Sequence, residues 1–78
     1  MIIDIRDSSK YMQGHLKDAV NISFSELYLH PNKYLKKGVL YSLYCDSGVK
    51  SKILVYYLKQ KGYNCVNLEG GYARNLFK

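Results

Sequence analysis

Four short runs of β-forming residues are spread along the chain, and a stretch of helical character follows each one. The runs are Ile2–Ile5, Ala19–Ile22, Val39–Tyr44 and Cys65–Leu68. This alternation predicts an α/β domain with a parallel sheet, because neighbouring parallel strands need a crossover and a helix supplies it. Such crossovers are right-handed. With 78 residues there is room for one domain, residues 1–78. Val39–Tyr44 is rich in β-branched, aromatic and aliphatic residues and reads as the central strand.

The helices carry their own punctuation. Ser8 or Ser9 is placed to cap a short helix ending at Gln13, with Gly14 as its stop. Ser23-Phe24-Ser25-Glu26 has the spacing of a capping box, flanked by Ile22 and Leu27 at hydrophobic-staple positions. Pro31 disfavours helix at His30, so this helix is short or broken. A longer helix runs from about Ser51 to Lys61, with Ile53, Leu54, Tyr57 and Leu58 as its apolar stripe and Gly62 just past its end. Gly70-Gly71 turns the chain into a terminal helix, Tyr72 to Phe77.

Charge narrows the partners. Lysine and arginine number 12 against six acidic residues, a net charge of +6. The field concentrates anions near the surface, which suits a small anionic substrate or an acidic partner. The lysines are scattered, and no nucleic-acid motif accompanies them, so no nucleic-acid partner is expected. No apolar run reaches the ~20 residues that cross a bilayer, so no membrane partner is expected either. Met1 leads straight into the first strand without a signal peptide, and Cys45 and Cys65 are too few for a disulfide framework. A reducing, cytoplasmic setting follows, and no cofactor or metal is expected. Most of the nine tyrosines read as amphipathic packing with hydroxyls at the surface.

Cys45 is the candidate nucleophile. It follows the strongest strand and precedes the longest helix, and in open α/β sheets ligands bind outside the carboxyl ends of the strands. A turn from strand end to helix start aims several amide N–H groups at one point, and the helix dipole reinforces them. A thiol held there is ionised more easily than a free one. Lys50 adds a positive charge, and Gly48 supplies a permissive φ for the curl of the loop. Cys65 sits within a strand and has no such turn, so it reads as core packing. His15 and His30 have simpler roles than pairing with Cys45.

Four blocks of the chain together resemble the rhodanese family of sulfurtransferases. Asp4-Ile5-Arg6 resembles its opening D-x-R strand. Tyr11-Met12-Gln13-Gly14-His15 through Asn21-Ile22 resembles Y-x-x-G-H-I-x-x-A-x-N-I. Cys45-Asp46-Ser47-Gly48-Val49-Lys50-Ser51 resembles the active loop C-x-x-G-x-R-S. Gly62-Tyr63 through Gly70-Gly71 resembles the closing G-[FY]-x-x-V-x-x-L-x-G-G. The resemblance implies a three-layer rhodanese-like fold: a small parallel sheet of four or five strands with helices on both faces, lacking the family's usual N-terminal segment. It implies that Cys45 carries sulfane sulfur as a persulfide. The sulfur comes from thiosulfate or a protein or low-molecular-weight persulfide, and passes to a thiol or cyanide. Asp46, Ser47, Gly48, Val49, Lys50 and Ser51 would cradle the persulfide and donor. Asp4, Arg6 and His15 would be framework residues, with Arg6 also a candidate anion contact.

Three departures stand out. Lys50 replaces the family's usual Arg and loses its bidentate fork. Asn75 stands where many members have Trp. The absent N-terminal segment points to a minimal domain, a dimer or a fragment of a longer protein. A non-catalytic docking module of the same fold is the alternative from another class, although retention of Cys45 argues against it. A phosphatase or arsenate reductase would need C-x5-R, and residue 51 is serine.

Overall fold

The computed structural model describes residues 1–76. The elements are β1 (Ile2–Asp4), α1 (Ser8–Gln13), β2 (Ala19–Asn21), α2 (Phe24–Leu29), α3 (Pro31–Tyr34), β3 (Leu40–Tyr44), α4 (Val49–Gln60), β4 (Asn64–Asn67) and α5 (Gly71–Asn75). The expected terminal helix extends to Phe77, which lies outside the described residues. The strands form one four-stranded sheet in the order β2-β1-β3-β4, with every pairing parallel. The chain steps to one side of β1 to make β2 and to the other side to make β3. The carboxyl ends of β1 and β3 therefore flank a topological switch point, where this class of sheet leaves a crevice.

Pleating divides the sheet into two unlike faces. Ile3, Ile5, Tyr41, Leu43, Cys45 and Cys65 join Leu27, Leu35, Leu54 and Leu58 in the apolar core. On the opposite side Asp4 and Tyr44 are fully buried, yet they meet polar and aromatic partners, Arg6 and Tyr72. Helices α2, α3 and α4 cover the apolar face, while α1 and α5 bring Tyr11 and Tyr72 to the other.

Local chemistry accounts for most helix ends. Ser23 caps α2 by accepting from the Glu26 N–H at 3.3 Å. The Glu26 carboxylate accepts instead from the Tyr34 hydroxyl. Pro31 breaks the helix, and α3 begins on that proline at its first turn. At the end of α4 the N–H of Tyr63 bonds the Leu58 carbonyl and that of Gly62 bonds Lys59, which is the Schellman arrangement.

Three expectations need correcting, and two tyrosines are exceptions to a fourth. Asp7, not Ser8 or Ser9, precedes the first turn of α1, and its carbonyl takes the N–H groups of Lys10 and Tyr11. Helix α4 starts at Val49, two residues before Ser51, because Gly48 in the left-handed region already accepts the first helical hydrogen bond from Lys52. The buried stripe of α4 is Ser51, Leu54, Val55 and Leu58, a clean i, i+3, i+4, i+7 pattern. It leaves Ile53 60% exposed. The hydroxyls of Tyr41 and Tyr44 are not at the surface: they accept the Lys36 N–H and donate to Asp4, respectively.

Helix α5 is pinned to the end of β3. The N–H groups of Tyr72 and Ala73 donate to the carbonyls of Cys45 and Asp46 at 2.8 and 3.2 Å. Gly71 makes this approach with φ +60°, and a Cβ on it would collide with those same two carbonyl oxygens. Gly71→Ala is expected to destabilise the domain by roughly 2–4 kcal/mol, from left-handed strain plus overpacking. A lower urea midpoint at unchanged slope measures this.

Candidate active site

Residues 45–51 wrap around one sulfur atom. Cys45 is 5% exposed and immediately follows β3. Its Sγ accepts from the N–H of Gly48 at 3.2 Å and of Ser51 at 3.3 Å. Gly48 turns its amide inward with φ +95°, and a Cβ there would press on the Gly70 nitrogen at 3.0 Å. Burial alone pushes the Cys45 thiol up, but the Ser51 hydroxyl and the N–H groups of Ser51, Gly48 and Ser47 outweigh it. The net effect is a thiol held below its ordinary value. Cys65 shows the reverse: burial raises it, against a small lowering by Lys59.

Ser51 is shared. The Cys45 thiol donates to its Oγ at 3.4 Å, and the Ser51 hydroxyl donates to Asn67 Oδ1 on β4. Asn67 Nδ2 in turn donates to the Gly48 carbonyl at 3.2 Å. The neighbouring strand thus ties the middle of the loop to its end. When the thiol ionises, the Ser51 hydroxyl has the sulfur as a second acceptor within reach.

Above the sulfur lies an open cleft of about 420 Å³ at the switch point. Arg6, Lys10, Asp46 and Lys50 line it together with Cys45. Phe24 and Ile53 form an apolar wall. Asp46 is held by Lys10 Nζ at 2.6 Å and faces Arg6 at 3.6 Å. Lys10, with Arg6 behind it, keeps the Asp46 carboxyl below the usual carboxylate range.

The expected site residues divide into three groups. Gly48 and Ser51 contact the sulfur, and the Ser47 N–H adds to the stabilisation of its thiolate. Asp46, Lys50 and Arg6 line the cleft. Val49 projects into solvent and belongs to neither group. Arg6 makes a bidentate contact with Asp4 and also donates to the Gly14 carbonyl, which fits a framework role. His15 stacks on Tyr11 and His30 sits between α2 and α3. Neither lines the cleft.

The match to known proteins follows this geometry. Residues 1–74 match the model of the rhodanese-like domain. The chain belongs to the rhodanese-like family. YtwF of Bacillus subtilis, named as a sulfurtransferase, is 33% identical over 72 residues, covering 90% of this chain and 67% of the relative. A tRNA sulfurtransferase from Shewanella halifaxensis is 35% identical over 71 residues. That match covers 87% of this rhodanese-like chain but only 15% of the longer enzyme. The crystal structure of SSP1007 from Staphylococcus saprophyticus superposes with a TM-score of 0.86 at 32% identity, over 94% of this chain and 72% of that one.

Lys10, Phe24, Ile53 and Asn67 join the rhodanese-like site without having been singled out from sequence. Only Asn67, two residues beyond Cys45's core counterpart Cys65 in a strand of period two, carried a signal of which face it occupies. On raising pH from acid, Cys45 is expected to be alkylated by iodoacetamide well before Cys65, because only the thiolate reacts. Ser51→Ala should move the Cys45 midpoint upward. Intact-mass readings across pH distinguish the two thiols.

Proposed function

We propose that this rhodanese-like domain, residues 1–78, is a sulfurtransferase that carries sulfane sulfur on Cys45. The observation that supports this best is the pair of main-chain N–H groups converging on the Cys45 sulfur at the mouth of α4. In the first half-reaction the Cys45 thiolate attacks the sulfane sulfur of thiosulfate or of a persulfide. The new S–S bond forms as the old one breaks, and sulfite or a thiolate leaves with the bonding pair. The product is a Cys45 persulfide anion, whose terminal sulfur takes over the amide donors. In the second half-reaction a thiolate or cyanide attacks that terminal sulfur, and Cys45 leaves as a thiolate. No net oxidation occurs and no redox cofactor is required.

Charge and loop length favour sulfur chemistry. Lys50, exposed at the cleft, supplies a positive charge for an anionic donor. A phosphatase would place arginine at position 51, where this chain buries Ser51 against the sulfur. Among the described residues no helix is long and apolar enough to cross a membrane. Both cysteines are free, and a reducing cytoplasm would keep the Cys45 thiol available.

Incubation with thiosulfate should add the mass of one sulfur atom, removed by cyanide or a thiol and absent in Cys45→Ala. Failure of every sulfane donor to load Cys45 would instead favour a docking role for the domain. Lys50→Gln is expected to raise KM for thiosulfate several-fold, and Lys50→Arg to preserve or improve it.

A further inference from the structure

Helix α4 is apolar on two faces. Its inner stripe of Leu54, Val55 and Leu58 packs into the core. A helix at the surface of a small domain normally carries polar residues opposite such a stripe. Here the opposite face holds Val49, Ile53 and Tyr56, which are 63, 60 and 68% exposed. Their spacing of i, i+4 and i+7 aligns them in one row, about 10 Å long over two turns. Large apolar side chains exposed in a row differ from singly scattered ones and mark a contact surface. Beside the row, Tyr57 packs on Tyr28 of α2 at 4.4 Å between ring centroids, so the row borders the valley between the two helices.

Lysine flanks the row on both sides. Each residue turns about 100° around the helix axis, which puts Lys52 and Lys59 on one side and Lys50 on the other. Lys61 follows just past the helix, with its Nζ 5.2 Å from the Tyr57 ring centroid. None of these lysines makes an ion pair among the described residues. No acidic residue occurs from position 47 to position 68. The charge carried by α4 is therefore of one sign.

Charge and shape together identify what covers the row. A second copy of the chain would bring lysine against lysine. Nucleic acid has no use for Val49 and Ile53, and the Tyr57 ring already holds Tyr28 and Lys61, so it is not free to stack on a base. A bilayer surface is flat and does not enter a valley between helices. We infer that the outer face of α4 docks a partner protein through a helical segment with an apolar edge flanked by carboxylates. The apolar edge meets Val49, Ile53 and Tyr56, and the carboxylates meet the flanking lysines. Lys50 and Ile53 also line the cleft, so the docked segment reaches the mouth of the site. Docking there is independent of whether Cys45 carries sulfur.

A fluorescein-labelled helical peptide of leucine and glutamate, with leucine along one edge, serves as the probe. Its binding to the full chain is read by fluorescence anisotropy, and its amide shifts should map to residues 49–60. Tyr56→Ser is expected to weaken binding about fivefold. Lys52→Glu combined with Lys59→Glu should weaken it by about tenfold or more. Lys17→Glu combined with Lys33→Glu changes the net charge equally but lies off α4, and should cost less than about threefold. Thermal midpoints unchanged by these exposed substitutions separate lost binding from lost fold. Equal losses from the two lysine pairs, or shifts centred away from α4, overturn the inference. Tighter binding of polyuridylate or of phosphatidylserine vesicles, with the same dependence on Tyr56, assigns the face to nucleic acid or lipid and overturns it. Self-association of the chain that Tyr56→Ser abolishes assigns the row to a second copy and overturns it as well.

Discussion

The buried carboxylate of Asp4 holds the second face of this domain together. It accepts from the backbone N–H, Nε and terminal nitrogen of Arg6 and from the Tyr44 hydroxyl, at 2.7–3.1 Å. An isolated carboxylate in that position would be strongly unfavourable, and only such complete pairing offsets the loss of water. The partners spread the effect. Arg6 reaches the Gly14 carbonyl after α1 and lies over the Tyr72 ring of α5. Tyr44 accepts the Leu16 N–H. Burial, with the Asp4 carboxylate beside it, raises the Tyr44 hydroxyl far above its ordinary range, so it remains a donor. One acidic side chain thereby joins β1, β3, the segment after α1 and the last helix.

This polar hub bears on the active loop because β3 passes through both. Tyr44 faces Asp4 on one side of the sheet, and the next residue, Cys45, faces the apolar core on the other. Pinning Tyr44 fixes the height and direction at which the chain leaves the sheet. The amides of Tyr72 and Ala73 then hold the carbonyls of Cys45 and Asp46 from behind, so the N–H groups of Gly48 and Ser51 close around the sulfur from the front. Preorganisation of this sort spares the loop the entropy of gathering its donors around an anion. The strand order adds the empty space: with β2 and β3 on opposite sides of β1, the carboxyl ends flank the cleft, and among the described residues no helix closes it over.

Much of this was legible in the chain. The strand runs, the Ser23 cap, the break at Pro31, the role of Gly62 and the position of Cys45 between strand and helix all depend on residues within a few positions of one another. Errors arose where distant contacts set the outcome. The sequence starts the long helix at about Ser51, yet that hydroxyl serves Asn67 and Cys45, and the helix begins two residues earlier, after a glycine. Ile53 reads as core by spacing, but the registration of α4 on the sheet turns Leu54, Val55 and Leu58 inward instead. Nothing near Asp46 in the chain shows that its side chain is claimed by Lys10, 36 positions away.

What the amino-acid order determined by itself was the alternating architecture and the place of the candidate nucleophile, because both follow from local backbone preference and from a thiol placed at a strand-to-helix turn. Tertiary structure alone decided which charges around that thiol are already paired and which remains available. Coulombic partners are chosen by proximity in space, and Lys10, Arg6 and Asp46 come from separate segments that meet only when β1 and β3 lie side by side.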